Sequence, residues 1–229
     1  GFFPCAERSS TDSRQALRQF AGRDRIQSFY SDNARELSKA IVDLGWVHDT
    51  STPYESNTNG RIERFMRTVE EGTRTSLVHA GLHHSWWPHA GKYWCAARNI
   101  SCRAKIGEKT PYEKRHGQPF QGAAVPFGAA IYFRPNANLA KRLGKFQPGG
   151  PSGTTVGHGT GGIPGLFIGW HLLPGGLWHG DYLVVYMPDI QKSYDAGRSK
   201  PGSRGRIPIY RTKALYHNYD KPWFFPLAK

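Results

Sequence analysis

The order of short apolar runs and amphipathic periods between residues 25 and 80 constrains this chain more than any other feature. Arg25-Ile26-Gln27-Ser28-Phe29-Tyr30 reads as a short strand that stops at Ser31-Asp32-Asn33, side chains that favour turns and helix caps because they bond nearby backbone amides. Leu37, Ala40, Ile41 and Leu44 then recur at helical spacing and make one inward stripe, with Gly45 as the C-terminal stop. Trp46-Val47-His48 is a second short strand. Thr50-Ser51-Thr52-Pro53-Tyr54 is a loop held extended by Pro53, and residues 55–60 continue it as an exposed polar segment. A long helix capped by Thr58 or Asn59 follows, running to about Ala80, with Ile62, Met66, Val69, Thr73 and Leu77 on one face and Glu63, Arg67, Glu70 and Arg74 on the other.

That order places an Asp at the end of a strand and a Glu in the first turn of a helix. Carboxylate oxygens are what hard divalent cations require, and two such cations are a recurrent device for phosphoryl transfer. Taken singly, Ser31-Asp32-Asn33 is an ordinary cap and a Glu near a helix start merely suits the helix dipole. Set together with the intervening helix, the strand and the Pro-Tyr…Asn-Gly loop, Asp32 and Glu63 read as metal ligands.

Ser31-Asp32-Asn33, the Thr52-Pro53-Tyr54 turn, Asn59-Gly60-Arg61-Ile62-Glu63-Arg64 and the following Arg67-Thr68…Arg74-Thr75…Leu77 resemble the integrase core of copia-type retrotransposons, relatives of the retroviral integrases. Trp86-Trp87, Arg98-Asn99, Thr110-Pro111-Tyr112-Glu113 and Pro164-Gly165-Leu166-Phe167-Ile168-Gly169-Trp170 extend the resemblance over nearly the whole chain. It implies an α/β ribonuclease H-like core over residues 1–117 and a small basic β-rich domain over 118–229. It also implies Mg2+ or Mn2+ as cofactor, element and target DNA as partners, a homo-oligomer in the complete protein, and residence in the nucleus or a cytoplasmic retroelement particle. Asp32 matches the second acidic residue of the family's Asp, Asp, Glu triad and Glu63 the third. Asn33 and Asn59 match positions beside the site that orient ligands or DNA.

The family's first Asp has no counterpart before Asp32: Asp12 and Asp24 fall in or beside a helical stretch over 13–20. The interval from Asp32 to Glu63 is also several residues shorter than usual in the family. The expectation is a fragment of a Pol-like polyprotein, or a degenerate copy, that starts after the core's first strands and is inactive alone. A non-catalytic nucleic-acid-binding relic is the alternative. A ribonuclease H-like nuclease with another purpose fits the acidic pair but not the Asn-Gly-Arg-Ile-Glu-Arg context.

Charge agrees with a nucleic-acid partner. With 31 Lys plus Arg against 17 Asp plus Glu the net charge is +14, which favours polyanions through counterion release and steering. Residues 1–115 carry 18 basic and 13 acidic groups, and residues 116–229 carry 13 and 4, so the second half is the general DNA-contacting surface. Arg61, Arg64, Arg67 and Arg74 are the candidate phosphate contacts in the first half, each also within reach of an intrahelical Glu. Lys200, Arg204 and Arg206 are those of a basic loop in the second.

A helix over about 85–99 puts Trp87, Tyr93 and Trp94 in the core, with Pro88 tolerated in its first turn. Beyond Gly117, apolar runs at 124–134, 165–170, 181–187 and 207–211 alternate with Gly- and Pro-rich turns, the pattern of a small barrel or sandwich. The Gly-rich loop 148–162 lacks a Walker lysine, so it is no phosphate cradle. Cys5, Cys95 and Cys102 lack zinc-module spacing, and the absence of a signal peptide points to a reducing compartment. His79, His83, His84 and His89 lack a metal-binding pattern and suit surface or capping roles. No run is long and apolar enough to cross a membrane.

Overall fold

A computed structural model describes residues 1–50, 56–103, 105, 107–143, 162–195, 207–217 and 220–228. It is a mixed α/β chain whose contacts divide it into two units, residues 1–72 with 172–179, and residues 73–171 with 180–229.

The first unit is built on α1 (Ser10–Ala21), β1 (Ser28–Ser31), α2 (Arg35–Leu44) and β2 (Val47–Thr50). Ser9 caps α1 by accepting the Asp12 amide. Gly45 ends α2 in the left-handed region at φ 70, a conformation that costs glycine little. The stripe read from sequence is the one buried: Ala40 and Ile41 are fully enclosed with Leu17, while Phe29, Leu37, Leu44 and Trp46 pack around them. The start of α2 differs from expectation. Its N-cap is Ala34, with no side-chain hydrogen bond, so neither Asp32 nor Asn33 caps it. β1 and β2 run parallel, pairing Ser28 with Val47 and Ser31 with Thr50.

The long helix α3 spans Ser56–Ala80. It ends where the periodicity ends, but it begins before Thr58 and Asn59, so neither is its cap and Glu63 lies two turns in rather than one. Only the second half of its apolar stripe is covered. Val69, Thr73 and Leu77 are buried, whereas Ile62 and Met66 are exposed. Periodicity identifies the face of a helix; it does not report which neighbours cover it.

The second unit has a five-stranded antiparallel sheet in the order β6-β5-β4-β3-β7. Its strands are β3 (Ala130–Phe133), β4 (Ile163–Leu172), β5 (Trp178–Tyr186), β6 (Ile209–Thr212) and β7 (Leu215–Tyr216). β6 and β7 occupy opposite ends of that order, yet only Lys213 and Ala214 separate them in sequence. The sheet must therefore curl until its edges approach. Thr212 Oγ1 donates to the Arg134 carbonyl at 3.0 Å, and the Arg134 amide donates to the Ala214 carbonyl at 3.4 Å, sealing that seam. Edges brought together in this way are less open to pairing with other chains than those of a flat sheet.

Leu77, Ala80, Leu82, Trp86 and Ala90 form one core with Phe127, Leu166, Ile168, Val185, Ile190 and Ile207. Close approach within it depends on Gly128, at φ 75, where a Cβ would lie 2.4 Å from Ala80 Cβ. The helix after α3 corrects the expected register of the tryptophans. A 3-10 turn (His84–Trp86) precedes α4 (Trp87–Ser101), so Trp86 is fully buried while Trp87 is 46% exposed. Tyr93 does pack on the core, and Trp94 lies under the Arg98 guanidinium, 5.7 Å from its ring. Three short helices, too brief to show a helical period, complete the unit: α5 (Pro111–His116), α6 (Ala137–Arg142) and α7 (Met187–Asp195). α5 opens on a reciprocal capping box, Thr110 with Glu113, the local chemistry of the Thr-Pro-Tyr-Glu motif.

His89 gives this unit a pH dependence. Burial, with a smaller contribution from Lys92, lowers its pKa from 6.5 to about 4. The folded state holds the imidazole neutral while the unfolded chain takes up a proton. Stability is therefore full above pH 6.5 and falls as the pH drops toward 4, by about 3 kcal/mol for a shift of this size. Urea unfolding at stepped pH should show this loss, and His89→Asn should flatten it relative to the parent.

Candidate functional site

Asp32 follows the last residue of β1, and a network visible only in three dimensions fixes its backbone. Ser31 is buried. Its Oγ donates to the Asp32 carbonyl at 2.9 Å and lies 2.8 Å from His48 Nε2. A hydroxyl has one proton to give. With that proton on the Asp32 carbonyl, His48 must carry its hydrogen on Nε2 and donate to Ser31. The parallel register brings this about, since Phe29 faces His48 and Ser31 faces Thr50. Ser31→Ala removes both bonds and should cost about 1 to 2 kcal/mol in chemical denaturation; Ser31→Thr, which keeps the hydroxyl, should restore most of it.

The Asp32 carboxylate is exposed and takes one long bond, from the Ala34 amide at 3.4 Å. Arg8 pairs with Glu36 beside it. The Glu36 hydrogen bond is the main cause of the raised Arg8 pKa, and the Asp32 charge adds to it; Glu36 is lowered in turn. Both groups are solvated, so the pair contributes little to stability. Arg8 is a basic residue beside the strand end that sequence reading missed; the only signal was its charge.

Glu63 lies on the exposed surface of α3 with Arg64, Arg67 and Arg74, and no ion pair joins these arginines to Glu63 or Glu70 among the described residues. Asn33 is exposed next to Asp32. Asn59 and Arg61 fall within α3. Lys200, Arg204 and Arg206, and all of the Gly-rich loop except Gly162, lie outside the described residues.

Asp32 and Glu63 share no hydrogen bond or ion pair, and among the described residues no three His, Cys, Asp or Glu side chains gather as a metal site would require. The carboxylates suit Mg2+ or Mn2+ in kind but, among the described residues, not in number. The histidines behave as local structure. His83 Nδ1 accepts the Ser85 amide at 3.2 Å to cap the 3-10 turn, and the His79 ring lies 4.1 Å from that of Phe225. Among the described residues no helix is long and apolar enough to cross a membrane.

No family model matches the chain. It is similar to two proteins of Arabidopsis thaliana. One is the retrovirus-related Pol polyprotein from transposon RE2, at 33% identity over 113 residues; the other is the corresponding polyprotein from transposon RE1, at 32% over 112. Each alignment covers 47% of this chain and 8% of the polyprotein. The chain therefore carries a segment related to retrotransposon Pol polyproteins and spans only a small part of their length.

Proposed function

We propose that this chain is part of the integrase region of a retroelement Pol polyprotein, with a ribonuclease H-like core. It would contribute Asp32 and Glu63 to a divalent-metal site for 3′-end processing and strand transfer of element DNA. The observation that carries the reading is the ordered motif from Ser31-Asp32-Asn33 to Glu63-Arg64 on a β1-α2-β2-α3 succession, in a chain related to transposon Pol polyproteins. The third carboxylate has to come from outside the described residues. Alone, the 229-residue chain is expected to bind DNA without joining it.

Binding would rest on phosphate contacts from exposed arginines of α3 and from the basic segment carrying Lys200, Arg204 and Arg206. Contacts of this kind position the protein without reading sequence. Titration of duplex DNA against salt should give a steep log-log slope. Neutralising the three cations of that segment should weaken binding to every sequence and make that slope shallower by about 2 to 3. An unchanged slope would remove the segment from the interface.

One observation favours a second reading, a nucleic-acid-binding relic. No three-donor set assembles among the described residues. The relic predicts that a longer polypeptide containing this sequence still binds DNA and never joins it.

A further inference from the structure

We propose that the β3–β7 edge of the barrel is a stacking platform for single-stranded nucleic acid. The inference rests on the DNA-binding reading above and adds to it the form of nucleic acid and the side chains that take it. Tyr132 and Tyr216 stand directly opposite each other across the antiparallel pair, where facing aromatics share one side of the sheet. Gly162 lies against both half-buried rings; a Cβ there would lie 3.2 Å from Tyr132 Cβ and 3.4 Å from Tyr216 Cδ2. The next residue, His217, stacks with Trp223 at a centroid distance of 3.7 Å and an interplanar angle of 14°. Phe224 follows, 66% exposed, its backbone pinned because its carbonyl accepts the Ala130 amide at 2.8 Å.

Read along β3, the edge thus runs from the Ala214 and Arg134 seam, past the tyrosine pair, to the His217–Trp223 stack and Phe224. Ala130 to Arg134 spans about 13 Å at the rise of a strand, room for about four nucleotides at 3.4 Å each. Arg134 and Lys213 at the seam are exposed, and so is Lys221, two residues before Trp223 in sequence. Rings with exposed cations complement a ligand with open base faces and a phosphate backbone. A duplex hides its base faces; a single strand presents them.

The test uses the full chain and fluorescence anisotropy with two labelled probes, an oligothymidylate and a duplex of equal length. Phe224→Ala, a change at an exposed side chain, should weaken oligothymidylate binding about five-fold or more while leaving the duplex within about two-fold. Phe224→Trp should restore it. Equal loss on both probes, or no loss on either, overturns the platform and leaves the duplex-binding reading standing. Failure of the parent chain to bind either probe overturns both. A Phe224→Ala chain that keeps its oligothymidylate affinity but changes mass in sedimentation makes the edge a protein contact instead, which also overturns the proposal.

Discussion

Trp86→Ala should destabilise the second unit by about 3 to 5 kcal/mol, whereas Trp87→Ala, one residue on, should change stability by less than about 1 kcal/mol. Trp86 is fully enclosed and belongs to the same core as Leu82, Ala90, Phe127 and Ile190. Deleting its indole removes a large apolar surface and leaves a cavity that a β-barrel and two helix ends cannot collapse to fill. Trp87 is 46% exposed and loses much less. Domains carry only about 5 to 15 kcal/mol of net stability, so the first change should approach unfolding at physiological temperature. Urea denaturation of the pair, followed by circular dichroism, measures the difference directly. Equal effects would put the 3-10 turn and the register of α4 in error.

The same pair of residues shows where sequence stopped being sufficient. Periodicity located α2 and α3 because their apolar residues recur every three or four positions, and Gly45 marked a helix end by its left-handed backbone. Two adjacent tryptophans carry no such period. Which one faces inward depends on the 3-10 turn that His83 caps, and that turn has no strong sequence signal. The start of α3 differs from expectation for a related reason: Thr58 and Asn59 are good caps in isolation, but the helix continues through them to Ser56. Ile62 and Met66 share the periodicity of Val69 and Leu77 yet are exposed. Four strands of the barrel were legible from apolar runs between glycines and prolines, but the two-residue β7 lies outside those runs. Their closure was not, because it depends on two edges meeting through Lys213 and Ala214.

Of the candidate site, the position of Asp32 at a strand end was legible, and the Ser31–His48 bond that steadies it was not. That bond joins residues two apart in register across a parallel pair, and register is invisible until the strands are placed. The exposed arginines of α3 followed from the polar face of the helix.

The central claim, that Asp32 and Glu63 serve metal-dependent DNA joining, predicts the other large effect. Glu63→Gln and Asp32→Asn would each remove an anionic oxygen of the proposed ligand set while preserving side-chain size and every basic contact. Joining that depended on cations held by these carboxylates would then fall by orders of magnitude, since bound divalent ions would supply charge stabilisation for the transferring phosphoryl group. Duplex affinity, which comes from arginine and lysine, should hardly move. The direct measurement is strand transfer of a labelled element-end duplex in Mg2+ or Mn2+, with a longer polypeptide that contains this sequence and supplies the third carboxylate, alongside binding of the same duplex. The account predicts that joining by the parent is lost in both variants at unchanged binding. Undiminished joining by Glu63→Gln and Asp32→Asn would contradict it.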